Sequence, residues 1–313
     1  MFPDFVNRSL PDELRFIANA RKPQKRANAR LDGRTCIITG ATSGVGYAAA
    51  RRFAQGGAHL ILVCRNLKKA EQVKAELQRD FQVQIDLIHA DFSSLLQVRE
   101  AAAAILDKCP HIQVLINNAG LHTTRRTQTA DGLETVFCVN HLASFLFTIL
   151  LLDRLIISAP ARIIQVNSQG HRFGGLDLQD LNWEKRRYKG LQGYGASKTA
   201  QLLTVWELAD QLHGSGVTIN AMHPGAVATN IGMNNGLLYQ WYQRYLLFPL
   251  LKGPEISGEA IYYLAVAPEL AEVSGRFFNQ TIEEKPAAHA LDRTIGKRIW
   301  EISEKLTGLT KDD

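Results

Sequence analysis

The sequence has no HExxH run, no CxxC pair and no other spacing that would gather metal ligands, so its nine histidines and four cysteines point to no metal centre. The cysteines are Cys36, Cys64, Cys109 and Cys138, and the first two lie inside apolar runs. They read as reduced, structural thiols, which suits a cytoplasmic compartment. The opening residues, MFPDFVNRSLPDELRF, lack the charged start, apolar core and small-residue cleavage site of a secretion signal. The longest apolar run, Leu142 to Leu152, stops at Asp153 and Arg154 and is too short to span a bilayer. A soluble protein is expected, with attachment at a membrane surface left open. The net charge of +6 favours an anionic ligand or surface. Part of it is local, in Arg21, Lys22, Lys25, Arg26, Arg30 and Arg34, but no aromatic residue interleaves with that cluster and no nucleic-acid-binding motif occurs. The cluster reads as a solvated leader, and nucleic acid is excluded as a partner.

What is present is an alternation. Short apolar runs at 35–39, 59–64, 83–88, 112–116, 162–167 and 217–222 are rich in β-branched residues and read as buried strands. Between them lie helix-like stretches, Val45 to Ala54, Lys68 to Arg79, Leu95 to Lys108, Leu142 to Leu155 and Ala196 to Leu212. Continuous apolar strands alternating with helices mean a parallel sheet covered on both faces. The expected fold is a single α/β domain with a doubly wound parallel sheet, whose ligands sit at the carboxyl ends of the strands. Residues 1–32 are expected to be an extension, and residues 33–313 the domain. No internal repeat or low-complexity segment interrupts it.

The first strand runs into Gly40-Ala41-Thr42-Ser43-Gly44-Val45-Gly46 and then a helix. Glycine tolerates positive φ and lets a pyrophosphate approach the main chain. The helix start adds free N–H groups and the positive end of its dipole. The second strand ends at Cys64-Arg65-Asn66, and no acidic residue occurs between Ala58 and Lys69. An acidic residue there would bind the ribose hydroxyls of NAD. Arg65 can instead grip a 2′-phosphate, which favours NADP(H) over NAD(H).

Tyr194 and Lys198 are four residues apart, hence on one face of a helix. A free phenol has a pKa of about 10, too high for a base at neutral pH. A cation at ~4 Å and an effective dielectric of ~20 contributes roughly 4 kcal/mol, at most about three pKa units. Lys198 is therefore expected to depress the Tyr194 phenol into the range useful for proton transfer. Ser168, at the end of the strand RIIQVN, is placed to donate to a substrate oxygen as charge develops there.

The glycine spacing of the TGxxxGxG loop, Asn117-Asn118-Ala119-Gly120, Tyr194-x-x-x-Lys198 and Pro224-Gly225-x-x-x-Thr229 resemble, in this order, the classical short-chain dehydrogenase/reductases, enzymes of Rossmann-type fold. Further motifs narrow the resemblance to their retinol dehydrogenase-like branch, which includes relatives of a WW-domain oxidoreductase. These are Leu62–Arg65, Asp131–Glu134, Val139–Leu142 and the insert between Ser168 and Tyr194, and the likeness covers roughly 33–309. It implies that Gly40, Thr42, Ser43, Gly44, Val45 and Gly46 hold the pyrophosphate, and that Arg65 and Asn66 meet the adenosine end. It places Asp91 and Phe92 at the adenine, and Asn118, Ala119 and Gly120 along the cofactor wall. Pro224, Gly225, Val227 and Thr229 are implied at the nicotinamide carboxamide. Asn140 would help hold a water that links Lys198 to solvent, and Lys198 would also bind the nicotinamide ribose. One departure is Tyr47, where many NADP-preferring relatives carry a basic residue, so selectivity falls on Arg65.

The stretch Leu237 to Leu251 is aromatic and apolar, within a region, 230–260, expected to cover the substrate. A lid over a lipophilic substrate, a membrane or oligomer contact, and plain core are all consistent with it. His122 and His171 are candidates to line the pocket. The leading function is an NADP(H)-dependent oxidoreductase acting on a lipophilic carbonyl or alcohol of retinoid, steroid or lipid type. The alternative is an NADP(H)-binding regulatory or scaffold protein without turnover. A homodimer is left open, as is whether the helix-like Ala287 to Leu306 packs on its own domain or on a partner.

Overall fold

The computed structural model describes residue Asn19 and residues 22–227 and 253–309. Six strands follow the apolar runs: β1 (Thr35–Thr39), β2 (His59–Cys64), β3 (Ile85–His89), β4 (Val114–Asn117), β5 (Ala161–Val166) and β6 (Val217–His223). Two short ones, β7 (Phe277–Asn279) and β8 (Ile282–Glu283), complete the sheet. Its order is β3-β2-β1-β4-β5-β6-β7-β8, parallel except for the β7–β8 pair. Alternate residues of each strand feed opposite cores, as a pleated strand requires. In β1, Ile37 joins the core on one face while Cys36 and Ile38 join the other.

One face is covered by α1 (Gly44–Gln55), α2 (Leu67–Phe81) and α6 (Glu255–Val266). The other carries α3 (Leu95–Lys108), α4 (Ala143–Ile157), α5 (Gly190–Gln211) and α7 (Arg293–Thr307). The α4 helix is preceded by a turn at Thr135–Phe137 and a π-turn at Cys138–Leu142. The continuous helical segment Thr135–Ile157 is long and apolar enough to cross a membrane by composition, and most of it is buried inside the domain.

The segment from Lys22 to Asp32, expected to lie ahead of the fold, packs on it. Leu31 is buried, Tyr262 Oη donates to the Ala29 carbonyl, and Lys25 N donates to Thr281 Oγ1 at 2.9 Å. The C-terminal helix α7 lies on its own domain. Trp300 meets Phe145 edge-on at 4.9 Å, and His141 shares a 2.8 Å hydrogen bond with Ser303. All four cysteines are buried and free, and burial raises each thiol, Cys64 to about 11 and Cys138 to about 12.

Candidate active site

The chain reverses sheet direction between β1 and β4, which opens a crevice at their carboxyl ends. On one side of it Gly40 and Gly44 have φ of +69° and +55°, values that favour glycine. Gly46 is needed for packing: a Cβ there would stand 2.3 Å from the Gly40 carbonyl and 2.4 Å from Asn118 Nδ2. Ser43 precedes α1 without a capping side-chain bond, and both Ser43 and Thr42 remain accessible. Val45 is in the core. On the other side, Thr39 Oγ1 accepts the main-chain N–H groups of Asn118 and Ala119, both at 2.9 Å. Asn118 Nδ2 returns to the carbonyls of Thr39 and Gly40 at 2.9 and 3.2 Å. The Asn-Asn-Ala-Gly motif thus ties β4 to β1 at the crevice.

Arg65 leaves the end of β2 with its side chain 63% exposed and NH1 3.8 Å from Asp91 Oδ2. Asn66 caps α2, its Oδ1 accepting from Lys69 N at 3.0 Å. Asp91 closes its own turn on Ser93, and Ser94 is the cap of α3. The Phe92 ring is core, tilted against Phe147 at 5.7 Å. Tyr47 hydrogen-bonds Glu76, which Arg51 also meets. The glycine loop, the uncapped helix start and the exposed Arg65 at the end of β2 fit a nicotinamide dinucleotide.

The catalytic candidates converge from three elements. Ser168 follows β5, where its Oγ accepts from Gly170 N at 3.0 Å and caps the turn Gln169–Phe173. Buried Glu284 pins that turn, accepting from Gln169 Nε2 at 2.7 Å and Arg172 NH2 at 2.9 Å. Gly170 lets the Tyr194 ring approach, since a Cβ would lie 2.5 Å from Cε1. Ser168 Oγ and the Tyr194 ring face the same point, since the Cβ that Gly170 lacks would stand 3.3 Å from the one and 2.5 Å from the other. Asn140 sits in the π-turn, fully buried, its side chain bonded to both main-chain groups of Leu121 and to Ser197 Oγ. A π-turn widens the helix by one residue.

Lys198 shares the Tyr194 face of α5, with Nζ 5.7 Å from the ring centroid. Its ammonium donates to the Val166 carbonyl and to Gln201 Oε1, each at 3.0 Å. Burial lowers Lys198 to about 7. The expected depression of Tyr194 is therefore absent. Burial raises the phenol above its ordinary value of 10, and the nearby Ser168 hydroxyl opposes this only in part. The i, i+4 spacing brings the two residues together, but the lysine charge is spent on other acceptors.

The family model for short chain dehydrogenases matches residues 34–237. The chain belongs to the short-chain dehydrogenase family. Retinol dehydrogenase 13 of Homo sapiens is 40% identical over 299 residues, 94% of this chain and 89% of that protein. Retinol dehydrogenase 14 of Mus musculus is 36% identical, with 90% and 88% covered. Among solved structures, a Mycobacterium paratuberculosis protein described as uncharacterized matches with a TM-score of 0.71 at 30% identity, over 90% of this chain and 95% of that one.

In this short-chain dehydrogenase, Pro224 and Gly225 follow β6; the Pro224 carbonyl accepts from Ser257 Oγ at 2.7 Å, and Gly225 has φ of +95°. Val227 is buried. Thr229 and Leu237 to Leu251 lie outside the described residues, and so does most of the 230–260 region. His122 borders the site, edge-on to Tyr194 at 5.6 Å. His171 does not line it. It is fully buried, with Nδ1 donating to the Ser168 carbonyl at 2.7 Å and Nε2 accepting from Ala287 N at 3.1 Å. Among the described residues, no cluster of three or more His, Cys, Asp or Glu side chains could hold a metal ion. Sequence reasoning missed Asn167 and Gln201, buried amides touching Lys198. The available signal was spacing, because Gln201 stands seven residues after Tyr194 and three after Lys198.

Proposed function

We infer that the chain is an NADP(H)-dependent alcohol dehydrogenase or carbonyl reductase acting on a lipophilic substrate, with residues 33–313 as its catalytic domain. The observation that carries this is the convergence of Ser168, Tyr194 and Lys198 at the carboxyl edge of the sheet, with Ser168 Oγ and the Tyr194 ring meeting at Gly170 and Lys198 Nζ 5.7 Å from the ring centroid. A bound nicotinamide supplies the hydride chemistry. The protein binds and orients the reacting carbonyl and moves the proton. In reduction Tyr194 Oη gives its proton to the substrate oxygen while Ser168 Oγ donates a second hydrogen bond to it. In oxidation the same phenol accepts the proton. Its raised pKa keeps the proton on Tyr194 at neutral pH, ready for the reductive direction.

Arg65 supports the choice of NADP(H), because it is the cation available at the tip of β2 and no carboxylate stands in its place. The lipophilic substrate class is supported by the relatives named as retinol dehydrogenases. Free, buried thiols support a reducing, cytoplasmic setting, with a peripheral membrane contact and a homodimer compatible with it. The test is NADPH consumption over a panel of carbonyls from small aldehydes and quinones to retinaldehyde and ketosteroids, with Tyr194→Phe as control. Turnover lost in the variant supports the reading; tight NADPH binding with no turnover on any carbonyl overturns it in favour of a regulatory nucleotide-binding protein.

A further inference from the structure

Gln201 is 2% exposed, and its side chain joins three elements. Oε1 accepts from Lys198 Nζ and from Asn167 Nδ2, both at 3.0 Å. Nε2 donates to the main-chain carbonyl of Asn140 in the π-turn. Asn167 in turn donates to the Lys198 carbonyl at 2.9 Å and accepts from Ser168 N at 2.8 Å. The same Asn140 carbonyl accepts from Ser144 Oγ at 2.9 Å. A buried amide earns no place by core filling, where an apolar side chain of similar size would avoid its desolvation. Full satisfaction of such a group fixes geometry instead.

We propose that Gln201 is a positioning residue for Lys198, linking its ammonium directly to the Asn140 turn through one side-chain amide. This rests on the reading of Tyr194 and Lys198 as the proton-transfer pair. A lysine ammonium has three donors. Val166 and Gln201 take two, so the amide fixes both where Nζ stands and the direction of its remaining donor. An amide neither releases nor takes up a proton at neutral pH, so Gln201 orients the ammonium and does not relay its proton. Lys198 faces Tyr194 from its own helix, the Val166 carbonyl and Asn167 from the end of β5, and Gln201 with the Asn140 carbonyl behind it from the π-turn side. Tyr194 is the titratable side chain of that set, and burial alone lowers Lys198. Hydrogen bonds to the charged form favour it, so these acceptors oppose the lowering by burial.

The test compares wild type with Gln201→Leu, Gln201→Glu and Gln201→Asn. The first readout is the unfolding midpoint of the cofactor-free protein over roughly pH 6 to 10. Lys198 deprotonates near 7 when folded and near its ordinary 10.5 when unfolded, so the wild-type midpoint rises with pH from about 7 until the buried thiols, raised above their ordinary 9.0, oppose it. Leucine removes an acceptor of the ammonium, and the rise should begin about one pH unit lower. Glutamate should delay it by about as much, and asparagine should fall nearer to wild type than leucine. The second readout is turnover, with kcat expected to drop about tenfold or more in Gln201→Leu and recover partly in Gln201→Asn. Coincident pH onsets in wild type, Gln201→Leu and Gln201→Glu would overturn the proposal. If Gln201→Leu does not fold, the opposite pair, Gln201→Glu against wild type, still decides it. A wild type without turnover would remove the proposed function alone, since the pH onset needs neither cofactor nor substrate.

Discussion

At the β1 side of the crevice the structure works through main chain: positive-φ glycines, an uncapped helix start and a side-chain amide spent on two carbonyls. At the β5–α5 side it works through side chains, the half-buried Ser168 and Tyr194 and the buried Lys198, Asn140 and Gln201. The first region has little charge to desolvate. In the second, burial moves Tyr194 up, Lys198 down to about 7, and His141, His171 and His223 down to about 3, 4 and 4. A site made of backbone depends on steric fit, whereas one made of buried ionisable groups depends on the electrostatics around them.

The contrast is broken most strongly at Tyr194. Tyr194→Phe keeps the ring beside Gly170 and removes the proton. Turnover should fall by about 10²- to 10⁴-fold while NADPH affinity, read by fluorescence titration, changes little. A variant that loses affinity and turnover together would mean that the two sides are not separable.

The next effect is on pH stability. Lys198 has a lower pKa folded than unfolded, so the unfolded chain holds the extra proton between about 7 and 10.5. Stability should rise with pH from about 7 to 9, by about 3 kcal/mol, before the buried thiols, raised above their ordinary 9.0, oppose it; Lys198→Met should flatten the rise. The histidines His141, His171 and His223 are likewise neutral when folded, so stability should fall again as pH drops from about 6.5 to 4. Chemical denaturation of both proteins at several pH values checks the slopes and their signs.

Much of this was legible in the sequence, for reasons that differ between the two regions. Strands β1 to β6 fall within about two residues of their apolar runs, because burial on both faces leaves continuous hydrophobic segments. The glycine loop was legible because steric demands fix residue identity. Strands β7 and β8 are only three and two residues long and give no periodicity. Helix α6 was missed as well, and its Gly258 explains part of that. Glycine weakens the helical signal, yet a Cβ there would lie 2.6 Å from the Ala48 carbonyl of α1. At the catalytic side the motif showed who is adjacent. Spacing along a helix does not say which carbonyl a lysine bonds, so the sign of the Tyr194 shift and the part played by Gln201 were not readable.

On the main-chain side, Gly46→Ala tests steric fit directly. The added methyl meets backbone at the Gly40 carbonyl, which cannot rotate away, and overpacking of this kind costs about 1–3 kcal/mol. The thermal midpoint should drop and NADPH affinity weaken about tenfold or more, since the displaced loop is the proposed phosphate cradle. The slopes of stability with pH should remain those of wild type.

Arg65→Ala gives the smallest effect and sharpens the comparison most, because Arg65 is the charged side chain proposed to act on the main-chain side. It is well exposed, and solvent screens its interactions. A guanidinium on a 2′-phosphate in that setting is worth about 1 kcal/mol or somewhat more, so NADPH affinity should fall about five- to tenfold. NADH lacks that phosphate, and its affinity should hold. Raising the salt concentration should shrink the wild-type preference for NADPH and leave the variant indifferent. Equal losses for both nucleotides would instead assign Arg65 to the adenine face, where its charge carries no selectivity.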